Sequence, residues 1–383
     1  MPDPATTDRV ALARRIIDFG TTPEDLAPRQ LGRAAAGAPR LDLRIGWPDG
    51  LEPVPAPLPE EPATDDPLPR ADYVVITWTA AELEALADVL TPGVNGRRRW
   101  YRYDRRMEEY LPNIRGGAPA RSAGRLASYH PTRIGTRSVL CMKSELHLNQ
   151  DGVRTGPGTA TLPVADLFRQ IIEEVKPKVI ITVGTAGGTF GDHQLGDVVI
   201  TRGAKFRLTQ EFAAEPFAST AYRSPFRVPK KHLDTAVRLM GVSRPHLVEP
   251  DFGPPSIGYD FDGPLIPGVR NDPDIKLDGR DFERAHPMLT TDFFEFGNTA
   301  NRLDEHGCGV EMGDAALGMV CDELGDDAPA WLVIRNVSDP LINAELPTSP
   351  VDMQAHWAVW YYETFGYWTS VNSAIATWAM IAR

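Results

Sequence analysis

Residues 331–340, WLVIRNVSDP, constrain the fold more than any other stretch of the chain. Their apolar, largely β-branched residues run without polar alternation, as in a strand covered on both faces, and this is the mark of a largely parallel sheet. The run ends in a polar corner at Asn336, Ser338 and Asp339. Ligands of such sheets bind outside the carboxyl ends of the strands. A carboxylic acid there, screened from water, can hold a proton and donate it. The competing reading is that Asp339-Pro340 only opens a turn.

With 383 residues the chain can form one large α/β domain or two smaller ones, and 42% hydrophobic content supplies a sizeable core. Its 40 basic and 52 acidic residues give a net charge of -12, which works against non-specific binding to nucleic acid or to an anionic membrane. A small-molecule partner is expected. Cys141, Cys308 and Cys321 are odd in number and lack metal-ligand spacing, as in a protein of a reducing compartment. The first residues have no apolar signal core and no run approaches the length of a membrane span, so a cytoplasmic protein is expected.

Residues 1–70 read as an extension: a short amphipathic helix through Val10, Leu12, Ile16 and Ile17, then a proline-rich wrapping segment or linker. The core is expected over 71–383. Residues 73–77 form a strand, and a helix follows from Ala80 with Glu82 in its first turn, where a glutamate ordinarily complements the helix dipole. The basic, aromatic stretch 95–137 reads as a solvated loop or subunit contact rather than a base-stacking surface. A strand near 138–142, a glycine turn at 155–159 and a helix over about 160–175 come next. Residues 179–183 are a buried strand followed by Gly184-Thr185-Ala186-Gly187-Gly188, read as a loop whose amides hold an anion or hydroxyl, or as a plain tight turn. A further strand is expected at 195–200. Residues 206–287 read as an inserted lid or oligomer contact with one helix near 231–240. The ordered core resumes at 288–294, continues as a helix over about 313–324, and ends in an aromatic packing helix over 351–383.

Two blocks, VGTAGG…LGDVVIT and GVEMGDAALGMVCDELG…WLVIRNVSD, together resemble the nucleoside phosphorylase and nucleosidase superfamily, most closely its methylthioadenosine/adenosylhomocysteine nucleosidase branch. The resemblance covers roughly residues 73–340. It implies an α/β fold with a mixed, twisted central sheet flanked by helices, here carrying an N-terminal extension and a long insert. It also implies roles. Asp339 matches the acid that protonates a purine leaving group, with Ser338 orienting it. Phe294 matches the aromatic that stacks on the base, Met312 the methionine under the sugar, and Glu311 precedes it as in the family. Thr185, Ala186 and Gly187 fall on the family's glycine loop. Glu82 stands where nucleosidases place the glutamate that activates water, and no arginine stands at the position of Thr182, where phosphorylases carry one. A carboxylate repels phosphate and accepts a proton from water, so the exchange of residues fits an exchange of nucleophile. One departure is clear: where the family reads Val-Glu-Met-Glu-Gly, this chain reads Val310-Glu311-Met312-Gly313-Asp314. Either Asp314 or Glu311 takes over the sugar hydroxyls through a shifted backbone, or the sugar lacks or modifies a hydroxyl.

The expected activity is hydrolysis of the N-glycosidic bond of a purine nucleoside or nucleotide, adenine-type, without metal or organic cofactor, in a homodimer or higher oligomer. The alternatives are a phosphorylase using a basic loop such as residues 97–106 or a neighbouring subunit's arginine, and a nucleoside-binding regulatory module that has lost turnover.

Overall fold

The computed structural model describes residues 43–248, 272–280, 286–349 and 352–382. The helix expected near the N-terminus lies outside them. Among the described residues thirteen strands form one sheet: β1 (Pro53–Pro55), β2 (Tyr73–Thr77), β3 (Tyr101–Tyr103), β4 (Ala127–Ile134), β5 (Arg137–Ser144), β6 (Val179–Gly187), β7 (Val198–Thr201), β8 (Gly203–Arg207), β9 (Ala221–Arg223), β10 (Ile275–Leu277), β11 (Met288–Thr291), β12 (Val310–Glu311) and β13 (Ala330–Asp339). The longer helices are α1 (Ala80–Leu90), α2 (Pro163–Val175), α3 (Leu233–Leu239), α4 (Asp314–Leu324) and α5 (Met353–Ile381).

The sheet is mixed, as expected. Its spine runs β1-β4-β5-β2-β6-β12-β11-β8-β9, and β13 lies parallel to β6 while pairing antiparallel with β7. The period-2 alternation of side chains divides each central strand between two cores. Leu332 and Ile334 of β13 join Val75, Ile181 and Val183 on one face; Trp331, Val333 and Val337 join Val74, Ile76 and Ile180 on the other. Helix α5 seals the first face and α2 and α4 pack on the second. Both faces are therefore covered, and this is why the strands read as unbroken apolar runs.

Several expectations are corrected. The glycines at 184–187 are not a loop: β6 continues through Gly187, because β13 pairs with it along its whole length. The stretch 95–137 is not merely a solvated loop; it contains β3 and β4, and β4 pairs with β5 over eight residues. The described part of 206–287 carries the expected helix as α3, and also β9 and β10, which pair with β8 and β7. Helix α2 begins at Pro163, where a proline at the first helical position costs no hydrogen bond. The proline-rich segment does wrap the core: β1 adds to the edge of the sheet, Leu68 is buried, and Trp47 packs on Trp378 of α5 with ring centroids 4.9 Å apart. The aromatics of α5 are buried within its own chain, as a packing helix requires. All three cysteines are buried free thiols. Among the described residues no helix is long and apolar enough to cross a membrane.

Candidate active site

A cavity lies at the carboxyl ends of β2, β6 and β13, where ligands of such sheets bind. Two devices of the central strands shape it. The first is a bulge. The pairing of β13 with β6 shifts register between Val337 and Asp339, so Ser338 is the extra residue and Asp339 faces Gly187. Bulges re-aim side chains at strand ends. The second is the pair of glycines in β6. A Cβ on Gly187 would stand 2.9 Å from Asp339 Oδ2. One on Gly184 would overlap Glu82 Oε1 and come within 2.8 Å of Arg335 Nη1. Each glycine thus leaves room for a carboxylate to lie against the strand, and neither needs a left-handed backbone.

Asp339 is 5% exposed and its Oδ1 accepts a 2.7 Å hydrogen bond from the Ser338 hydroxyl. Burial pushes its carboxyl up to about 7, against the weaker opposing effect of that hydrogen bond. Phe294 lines the same cavity and packs on Phe296 at 5.8 Å between centroids.

Glu82 sits at the third position of α1, where it completes a capping box with Thr79. The dipole-complementing role is therefore real, but it does not exhaust the residue. Its Oε2 accepts from the amides of Trp78 (3.0 Å) and Thr79 (2.8 Å) and from the Thr77 hydroxyl (2.7 Å). Its Oε1 accepts from the Thr185 amide (2.8 Å) and hydroxyl (2.9 Å). Burial works to raise this carboxyl, but the Arg335 charge and the amide donors outweigh it and hold it below its ordinary value. Glu82 is a fixed anion beside the cavity.

Arg335, 3% exposed, is the residue the sequence reading passed over. It grips Asp314 through Nε (3.0 Å) and Nη2 (2.5 Å), Glu311 Oε2 through Nη2 (3.1 Å), and the Thr185 carbonyl through Nη1 (3.3 Å). Its guanidinium lies 5.0 Å from the centre of the Trp78 ring. A signal was present in the sequence: an arginine in the middle of a buried apolar strand must be paired or it would not be there.

The structure brings together Asp339, Ser338, Glu82, Phe294, Glu311, Met312, Thr185, Ala186 and Gly187 around one cavity. Asp314 is the exception. It is fully buried, does not line the cavity, and spends both oxygens on Arg335. Glu311 does line it, yet its oxygens already accept from the amides of Gly313 (2.6 Å) and Asp314 (2.9 Å), from the Thr290 hydroxyl and from Arg335. Burial and the Asp314 charge push the Glu311 carboxyl up, to about 8, and these donors oppose that rise. The expectation of a carboxylate shifted toward the sugar thus meets two carboxylates that are already engaged. Gly313 itself has an extended φ of -166°, and a Cβ there would meet nothing nearer than the Trp78 ring at 3.4 Å. Trp78, Thr79, His147, Thr291, Glu295, Val310, Arg335 and Tyr362 complete the lining; Tyr362 comes from α5 and donates to the Thr79 hydroxyl at 2.8 Å. None of residues 97–106 reaches the cavity, and Arg97 is paired with Glu84 at 2.7 Å.

No family model matches the chain, and no curated protein matches it. Among solved structures it is similar to 5′-methylthioadenosine/S-adenosylhomocysteine nucleosidase from Neisseria meningitidis in complex with methylthio-immucillin-A, at 16% identity and a TM-score of 0.42, over 81% of this chain and 98% of that one. It is similar to futalosine hydrolase of Helicobacter pylori strain 26695 at 12% identity and a TM-score of 0.43, over 81% and 96% of the two chains. The MTA/SAH nucleosidase of Streptococcus pneumoniae, in complex with 8-aminoadenine, is similar at 15% identity and a TM-score of 0.41, over 81% and 99%.

Proposed function

We propose that the protein hydrolyses the N-glycosidic bond of a purine nucleoside, releasing the free base and a sugar. One observation carries the reading: a carboxyl pushed up to about 7 (Asp339) and a carboxylate held ionised by backbone amides (Glu82) line one cavity together with an aromatic ring, Phe294. Pairs of acids whose environments push them apart divide into proton donor and anion. Asp339 protonates the base as the bond between sugar carbon and base nitrogen breaks and its electrons pass to the base. Glu82 stabilises the positive charge left on the sugar carbon and positions water against it. Water bonded to a cationic carbon is acidic enough to give its proton to a carboxylate of low basicity such as Glu82. Glu82 then releases that proton to solvent, and solvent restores the proton of Asp339.

Charge supports water over phosphate as the nucleophile. The cation whose charge acts on Glu82 is Arg335, which is already engaged by Asp314 and Glu311, so an incoming phosphate meets the Glu82 carboxylate with no unpaired cation among those residues to offset it. The test is chromatographic: free base released from a panel of purine nucleosides, with and without phosphate. Release that depends on phosphate and yields a sugar 1-phosphate establishes the phosphorylase alternative. Binding without release from any of them establishes the regulatory module.

Adenine as the base and a homodimer or higher oligomer are proposed on the resemblance, a cytoplasmic setting on the three unpaired thiols, and the boundary at 70/71 on the proline-rich composition before it. The aromatics of α5 do not furnish that dimer's interface, since they are packed within the chain. Light scattering that finds an active monomer at working concentration overturns the dimer.

A further inference from the structure

His147 lines the cavity and has no part in the chemistry just described. It is 3% exposed, and among the described residues neither Nδ1 nor Nε2 makes a well-formed hydrogen bond, the Glu145 backbone offering the ring only a weak one. Polar atoms left so at a buried position carry a desolvation cost that a bound group can relieve. Its backbone is well held: the His147 amide donates to Asp151, and the preceding Leu146 carbonyl accepts from Trp78 Nε1 at 2.9 Å. The atoms of the same indole next to that nitrogen, Cε2 and Cζ2, face Gly313, beside Met312 and Glu311. One edge of Trp78 therefore borders both the Leu146-His147 backbone and the region proposed for the sugar, while Asp339 and Phe294 mark the base.

The carboxylates that border the sugar region are otherwise taken. Both oxygens of Glu82 and of Glu311 already accept from at least two donors each, and Asp314 is out of reach. Position 313 has no side chain. A sugar hydroxyl entering here finds its open partner in the imidazole.

We propose that His147 is a specificity-determining residue of the site: its neutral imidazole binds an uncharged hydroxyl on the sugar portion of the substrate, which makes hydroxyl-bearing nucleosides the substrate class. This rests on the N-glycosidic reading above. Burial and the Lys143 charge keep the ring neutral, its conjugate acid lowered to about 4, so it offers one donor and one acceptor and no charge for a phosphate. Nucleoside phosphates are thereby poor substrates.

The experiment measures kcat/KM for base release by the unmodified protein, His147→Gln and His147→Phe. The substrates are a purine ribonucleoside, its 5′-deoxy, 3′-deoxy and 2′-deoxy analogues, and its 5′-phosphate. The unmodified protein is expected to favour the full ribonucleoside over one of the deoxy analogues by about tenfold or more, and over the 5′-phosphate. His147→Phe should erase that one preference by lowering kcat/KM for the ribonucleoside about tenfold to a hundredfold, leaving that analogue within threefold. His147→Gln, which keeps a donor and an acceptor, should retain part of it. Equal losses on all five substrates, or none, overturn the inference while base release itself upholds the hydrolytic reading. Absence of base release from every substrate by the unmodified protein overturns both.

Discussion

Replacing Asp339 by Asn tests the proton donor through stability as well as turnover. Asparagine keeps the shape and the acceptor that the Ser338 hydroxyl uses, but it cannot ionise. In the unfolded chain the carboxyl titrates near 3.8; in the fold, burial holds its proton up to about 7. The folded state therefore binds the proton more tightly, and linkage fixes the sign: stability is full below 3.8, falls as pH rises toward 7, and levels off above it. At about 1.4 kcal/mol for each pH unit, the whole loss is roughly 4 kcal/mol. For a chain of this length that corresponds to about 5 °C in Tm. Thermal unfolding of both proteins from pH 4 to 8.5 should show the variant gaining on the parent by this amount between pH 4 and 7, then running parallel. Base release by the parent should fall above pH 7, and the variant should be slower by about 10² to 10⁴. A difference in Tm that does not change across this range would mean Asp339 ionises as an ordinary surface acid, and the assignment of the proton donor would fail.

Glu82→Gln should abolish base release and also destabilise the fold, by about 2 kcal/mol or more, since it breaks a capping box and sets an amide against backbone donors. Urea unfolding checks the second effect; a fully stable, inactive variant would mean that the amides do not hold the carboxylate. The glycines of the site should divide sharply. Gly184→Ala pushes a methyl group into Glu82 and Arg335 and should cost both stability and activity, whereas Gly313→Ala meets the Trp78 ring and Glu311 Oε2 at ordinary distances and should leave Tm within about 1 °C. Equal Tm values for the two variants would show that the approach of Glu82 to β6 is not needed by the fold.

The sequence by itself determined the covered sheet, because apolar runs without alternation at 73–76, 179–181 and 331–334 leave no face for water. It also marked most of the site. Asp339, Glu82 and Phe294 stand next to strand ends or helix starts, positions that local patterns reveal. The tertiary structure alone decided the rest, since it concerns residues brought together from distant parts of the chain. Tyr362 reaches Thr79 across 283 positions, and the Thr185 amide reaches Glu82 across 103. The extension of β6 through Gly187 depended on β13 pairing along it, which local glycine content argues against. Which carboxylate reaches the cavity was settled by Arg335, whose guanidinium claims Asp314 and shares Glu311. Sequence shows that such a charge must be paired; only the fold shows with what, because pairing in a buried site is set by directions and distances that residue types do not contain.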